Sequence, residues 1–250
     1  AVKADTMDIC RWLFIYGFVY AFFQVLPAFL EGGFAGPVSR GDALDFLTPL
    51  AVIPVAVVLF LKMKKEPGRD ARGESTGPSR MAVVVFILGL IGYIEGHGIH
   101  LSANAIDRLL HGQEGSALYQ AVYLFDEVIS HFIWDGGVLI IAAGLILAGM
   151  KIRFSGLSPA QWVYLVGGAG FFGFSYAVNG IEGQTVVLTL PAAVLMVFVC
   201  FWLHRKSRRG GEYNAVALFF LLGFLLSVLL FTYWGIAHPG FTEFSELGWI

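Results

Sequence analysis

Two short polar segments interrupt long apolar runs of this chain, and their side chains are of the kinds that bind metal ions or transfer protons. The first segment ends one apolar run, and the second begins the next. Ionisable groups at membrane depth are energetically costly, so they usually mark a functional site. The ionisable and amide side chains of the two segments are Glu95, His97, His100, Asn104, Asp107, Asp126, Glu127, His131 and Asp135.

The first segment has helical spacing. If it is an α-helix, His97, His100 and Asn104 share one face and Glu95 points elsewhere. Two histidines at positions i and i+3 of one helix, such as His97 and His100, can bind one ion together. The first segment therefore predicts one half of a metal site.

The second segment repeats every four residues, so Glu127, His131 and Asp135 share a helix face. With a rise of about 1.5 Å per residue, His100 and His131 reach the same height, about 28 Å from the inner ends of their helices. The two helices are joined by a short loop and are expected to be antiparallel neighbours. The two segments are therefore predicted to meet.

Imidazole and carboxylate groups at one level are the ligands of zinc, iron or copper. The predicted metal ligands are His97, His100 and His131. The predicted catalytic carboxylates, as general bases or as partners of the ligands, are Glu127, Asp135 and Glu95. The residues predicted to orient a cofactor, water or substrate are Asn104, Asn179 and Glu182.

Composition defines the elements that must position these groups. The chain is 57% hydrophobic and 14% charged, with a mean hydropathy of +0.74. A soluble domain of 250 residues cannot bury that much apolar surface, so the sequence predicts an all-α polytopic membrane protein with a single domain. Seven runs are long enough to span a bilayer: 9–30, 46–62, 81–106, 117–150, 160–180, 185–204 and 214–236.

Basic residues predict the orientation of these spans. All lysines and arginines except Arg40 and Arg108 fall on one side of the predicted topology. By the positive-inside tendency, that side and the N-terminus are cytoplasmic, and the C-terminus is extracytoplasmic. The loop 63–80, rich in proline, glycine and charge, is predicted to be a mobile cytoplasmic loop. The polar site would face the extracytoplasmic side of a cell or inner membrane.

These features favour an integral membrane metalloenzyme, a hydrolase or an oxidoreductase, that acts on a lipid or another small amphiphile. Its expected cofactor is a divalent metal, and membrane lipid is an expected partner. The net charge of −2 gives no reason to expect nucleic acid. No retinal Schiff base is expected, because none of the lysines falls midway along a predicted span.

Two alternatives remain open from the residues alone. One is a proton- or cation-coupled transporter with Glu95, Asp135 and Glu182 as a relay, although the inner halves of the helices lack ionisable groups. The other is a non-catalytic subunit that works with other membrane subunits, with a haem between His100 and His131.

Overall fold

The computed structural model describes residues 6–64 and 78–249, which are nearly all helical. The predicted mobile loop 63–80 falls largely on residues 65–77, which lie outside the described residues. In chain order the α-helices are α1 Thr6–Val25, α2 Arg40–Asp45, α3 Thr48–Lys64, α4 Arg80–Leu109, α5 Ala117–Tyr123, α6 His131–Gly149, α7 Pro159–Glu182, α8 Val186–Arg209 and α9 Ala215–Ala237.

Six helical segments are long and apolar enough to cross a membrane, which agrees with an all-α integral membrane protein. They are Met7–Phe29, Arg40–Met63, Arg80–Leu109, Ala117–Gly149, Val186–Arg209 and Ala215–Ala237. The predicted span 160–180 forms α7, which is not among the six. A seventh span and the sides on which the termini lie therefore stay predictions.

Short polar side chains fix where several helices begin. The hydroxyl of Ser79 accepts a hydrogen bond from the backbone of Ala82 at the start of α4. Ser158 forms a capping box at the start of α7, and Asn214 caps α9. These side chains satisfy backbone N–H groups that the first turn of a helix leaves without partners.

The helices α4 and α6 form the most extensive helix pair of the fold. Glycines allow this close approach. A Cβ atom on Gly96 would lie 2.4 Å from the backbone nitrogen of Trp134, and one on Gly137 would lie 2.3 Å from that of Tyr93. α1 packs on α3 and α7, while α9 packs on α7 and α8. Because the two polar segments lie on α4 and beside α6, this packing brings them together.

The predicted helix 117–150 contains a wider turn than an α-helix has. α5 runs into a π-helix at Leu124–Ser130, and α6 follows directly. A π-helix turn changes the direction of the side chains that it carries, and such turns occur frequently at functional sites. Here the π-helix carries Asp126 and Glu127, two of the three carboxylates of the second polar segment.

A small hairpin connects α1 to α3, an addition to the all-α prediction. After a 3₁₀ turn at Leu26–Phe29, strands β1 Gly33–Ala35 and β2 Val38–Ser39 pair in antiparallel fashion. Gly36 lies in the turn between them with φ +55°, a conformation that favours glycine. α2 follows directly and begins with a capping box at Ser39. The hairpin and α2 lie at the end of the fold that holds the polar segments.

Candidate functional site

The polar segments open into a cavity of about 420 Å³ at one end of the helices. Parts of α1, α2, α4, α7, the π-helix and the segment after α9 border it. Its polar side chains include His100, Asn104, Arg108, Glu127, His131 and Asn179. The basic residues that end α3 and α8 lie at the opposite ends of those helices.

His100 of α4 and His131 of α6 meet in this cavity. Their ring centroids are 4.8 Å apart in a T-shaped contact, as the matching heights predict. Nε2 of His131 lies 3.8 Å from a carboxylate oxygen of Glu127. The His131 ring is more than nine-tenths buried, yet neither of its nitrogens has a hydrogen-bond partner among the described residues.

Asp126 is the carboxylate that approaches His100. Nδ1 of His100 lies 2.8 Å from Oδ1 of Asp126, although the two atoms do not have the angles of a hydrogen bond. The π-helix turns Asp126 inward, where it is buried, and the hydroxyl of Ser130 donates to its backbone carbonyl. Asp126 was not among the predicted site residues. Because a regular α-helical count does not place it beside His100, its spacing gives no signal for this contact.

His97 does not join the other two histidines. Its Nε2 lies 2.9 Å from the backbone carbonyl of Asp45, and its ring contacts Tyr93 and Trp134. The predicted cluster of three histidines is therefore not formed, because the start of the second span supplies His97 with another partner. Within residues 6–64 and 78–249, no group of three or more histidine, cysteine, aspartate or glutamate side chains is arranged to hold a metal ion.

Asp135 lies one helical turn from His131 in very different surroundings. Asn179 donates from Nδ2 to its Oδ1 at 2.5 Å, and the hydroxyl of Thr185 donates to its Oδ2. The carboxylate is fully buried and both of its oxygens have partners. Asn179 therefore contacts Asp135 directly, and the sequence analysis missed Thr185.

Of the remaining predicted residues, Asn104 and Glu182 border the cavity. Glu95 is exposed on α4 and does not line the cavity. Asn104 donates a long hydrogen bond of 3.3 Å to Asp42 of α2. Glu182, at the end of α7, accepts a hydrogen bond of 2.7 Å from the backbone N–H of Phe244. Glu182 thus fastens the segment that follows α9 to the edge of the cavity.

Arg108 is a further residue that the sequence analysis did not select. Its guanidinium group forms an ion pair with Asp42 and donates to the backbone carbonyl of Pro37 at 2.8 Å. One side chain at the end of α4 thereby holds both the hairpin and α2 beside the cavity. Because Arg108 lies just beyond the predicted span 81–106, nothing in its spacing indicates this contact.

Gly183 determines where the His131 ring can lie. A Cβ atom at position 183 would be 2.3 Å from Nδ1 of His131, so any other residue would displace the ring. The glycine directly follows α7. Its closeness to His131 depends on tertiary packing, and the sequence contains no signal for it.

A second cavity, of about 630 Å³, adjoins the polar one and is mainly apolar. We call it the apolar groove. α1, α7, α9 and the segment after α9 border it. Gln24, Ala28, Asn179 and Glu182 line both the polar cavity and the apolar groove.

Glu243 borders the polar cavity from the segment after α9. Partial burial raises the pKa of its carboxyl group, and the nearby carboxylates of Glu182 and Glu246 raise it further. The mouth of the cavity is therefore a region of negative charge.

Comparisons with protein-family models, curated proteins and solved structures found no match to this chain.

Proposed function

We propose that this chain is an integral membrane metalloenzyme that binds a divalent ion at His100 and His131. In this proposal the enzyme acts on a lipid or another amphiphile as a hydrolase or an oxidoreductase. The observation that carries the proposal is the His131 ring, which is buried beside His100 and Glu127 with both nitrogens unpartnered.

Unpartnered polar atoms are costly in a folded protein. A buried donor or acceptor without a partner costs about 1–3 kcal/mol, so a fold rarely retains one without a reason. Binding of an ion would give His131 the partner that the described residues do not provide. The same ring contacts His100, so both imidazoles are within reach of one ligand.

One distance at His131 is compatible with a shared ion, although the described side chains do not form a complete ligand set in their present positions. Nitrogen and oxygen ligands lie about 2.0–2.2 Å from zinc, so two ligand atoms of one ion are at most roughly 4.3 Å apart. Nε2 of His131 and the nearest oxygen of Glu127 are 3.8 Å apart, within this limit. His100 would join through a rotation of its ring, with Asp126 behind it as the carboxylate that orients many metal-binding histidines.

This set of ligands would leave coordination positions open towards the cavity. In the hydrolytic form of the proposal, a zinc-bound water would have its pKa lowered to about 7. Glu127 lines the cavity and could accept the proton of that water as a general base. In the oxidative form, iron or copper would bind to the same side chains.

The positive-inside tendency extends the proposal to the orientation of the site. The polar cavity lies at the end of the helices away from the basic ends of α3 and α8. We therefore propose that the site faces the extracytoplasmic side of the membrane.

Elemental analysis of the detergent-purified protein tests this function. We expect about one equivalent of zinc, iron or copper, and a loss of most of it in His131→Ala and His100→Ala. His111→Ala is the matched control, because the His111 side chain is 93% exposed. An absorbance spectrum of the same sample distinguishes zinc from iron or copper, and a Soret band would reveal haem instead.

Two results would contradict the proposal. One is wild-type protein that carries no ion above background even after incubation with each metal. The other is an ion that both histidine variants retain in full.

A further inference from the structure

We infer that the apolar groove binds the hydrocarbon chain of an amphiphile whose uncharged or positively charged head group occupies the polar cavity. This inference rests on the proposed function and names the substrate class of the same site. It adds a binding site for the chain and a charge requirement for the head.

The groove has the size and the lining of a small-molecule site. Its volume of about 630 Å³ lies within the usual range of roughly 300–1,000 Å³ for such sites. Aromatic and aliphatic side chains from three directions border it: Phe29 after α1, Phe174 and Val178 of α7, and Leu230 and Tyr233 of α9. Because lipid tails are already in an apolar medium, a flexible hydrocarbon chain would be held there by van der Waals contacts with these side chains.

Continuity with the polar cavity identifies the occupant as an amphiphile. Gln24, Ala28, Asn179 and Glu182 line both spaces, so one molecule can extend from one into the other. A wholly apolar molecule would leave the polar cavity unused, and a wholly polar one would leave the groove unused. Only a molecule with both parts complements the whole surface.

Charge in the polar cavity restricts the head group. Five carboxylates border it, those of Asp42, Asp45, Glu127, Glu182 and Glu243. Among the described residues Arg108 is its one arginine or lysine, and the guanidinium group is already paired with Asp42. With these carboxylates ionised, even a divalent ion at the histidines would leave the lining negative. A phosphate or carboxylate head would therefore be repelled, whereas hydroxyl or amine groups would find acceptors.

Photolabelling of the full-length protein in detergent tests both parts of the inference. The probe is a monoacylglycerol with a photoreactive diazirine on its acyl chain, and mass spectrometry locates the adducts. We expect adducts within 174–178 and 230–234, competed by excess monoacylglycerol or long-chain alkylamine. The fatty acid of the same length should compete at least about tenfold less well.

Ala28→Trp is the variant that should block the junction between the apolar groove and the polar cavity. Ala28 is exposed in the 3₁₀ turn, where the two spaces join, so a larger side chain fits without displacing the core. We expect about a tenfold loss of apparent affinity, because the larger side chain would occupy the place where the two spaces join. Leu195→Trp, on an exposed position of α8, should leave the labelling unchanged. Leu230→Trp replaces the first variant if Ala28→Trp does not elute as a single species.

The outcomes separate this inference from the proposed function. Adducts spread along α8 and insensitive to either groove variant would overturn the groove, and equal competition by the fatty acid would overturn the charge requirement. His131→Ala should lose its ion and keep its labelling. Groove labelling in a wild-type protein that binds no metal would support the groove and overturn the metalloenzyme.

Discussion

His131 and Asp135 lie one turn apart on α6 and are both buried, yet their surroundings are opposite. Each oxygen of Asp135 accepts a hydrogen bond, from Asn179 or from Thr185. Neither nitrogen of His131 has a partner among the described residues. A buried polar group stabilises a fold only when it is hydrogen-bonded. The comparison therefore indicates that Asp135 stabilises the fold, and it is the basis of our proposal that His131 binds a ligand.

Replacement of Asp135 should have the largest effect on stability. In Asp135→Ala the Asn179 amide and the Thr185 hydroxyl lose their acceptor, at a cost of about 1–3 kcal/mol for each group. We expect a marked drop in the melting temperature in detergent, with Asp135→Asn less affected. His131→Ala should lower the melting temperature less, because it removes ring packing on His100 and Trp134 but no hydrogen bond.

The opposite result for Asp135→Ala would contradict the structural role of Asp135. If Asp135→Ala melts like the wild type but loses the metal ion, Asp135 belongs to the binding site and not to the framework.

Gly183→Ala tests whether the position of the His131 ring controls metal binding. The added Cβ would lie 2.3 Å from the imidazole and must move it, whereas its contact with Asn179, a partner of Asp135, is a longer one of 3.1 Å to the backbone oxygen. We expect metal affinity to fall about 10–100-fold, the usual effect of disturbing the support of a ligand. Competition titration against a chelator measures this affinity.

Gly170→Ala on α7 is the control, since a Cβ there meets nothing within 4 Å. Equal affinities in the two glycine variants would show that the position of the His131 ring does not control binding.

Arg108→Ala tests a second buried carboxylate that has a partner, that of Asp42. The variant leaves the buried carboxylate of Asp42 without its guanidinium, and it releases the carbonyl of Pro37. Because Arg108 is partly exposed, we expect a modest loss of about 1 kcal/mol, confined to the hairpin and α2. Limited proteolysis should cut within 32–45 faster than in the wild type, while Arg40→Ala should not change the rate. Unchanged cleavage in Arg108→Ala would show that the hairpin is held by other contacts.

Glu243→Gln should give the smallest effect, and only above the unfolded pKa of the carboxyl group, about 4.3. The pKa of Glu243 is raised in the folded protein, so the ionised form is disfavoured there. Folding stability is therefore lost as the pH rises through the folded pKa, and none is lost below the unfolded value of about 4.3. Hydrogen exchange of 239–249 should be slower in the variant than in the wild type at pH 8, and equal at about pH 4. A difference in exchange rate that grows towards acidic pH would contradict the predicted direction of the pH dependence.

The sequence predicted the membrane class and the meeting of two helices because both depend on regular features. Apolar length reveals a span, and a constant rise per residue places His100 and His131 at one height. The same regularity misled the prediction for His97. Its helix face was assigned correctly, but its partner is a backbone carbonyl of Asp45, which no side-chain pattern reveals.

The remaining parts of the site depend on irregular backbone. The π-helix turns Asp126 towards His100, and an α-helical count does not place it there. The hairpin before α2 and the segment after α9 bring Asp42 and Glu243 to the cavity. Such segments are positioned by tertiary contacts, so their residues could be found only in the folded protein.

X-ray absorption spectroscopy of the metal-loaded protein tests the central claim most directly. If His100 and His131 share the ion, the wild-type spectrum should show two imidazole ligands at about 2.0–2.1 Å together with oxygen. His131→Ala should then lack one imidazole, and Asp135→Asn should give the wild-type spectrum. A wild-type spectrum with oxygen ligands alone, or one that Asp135→Asn alters and His131→Ala does not, would contradict the account.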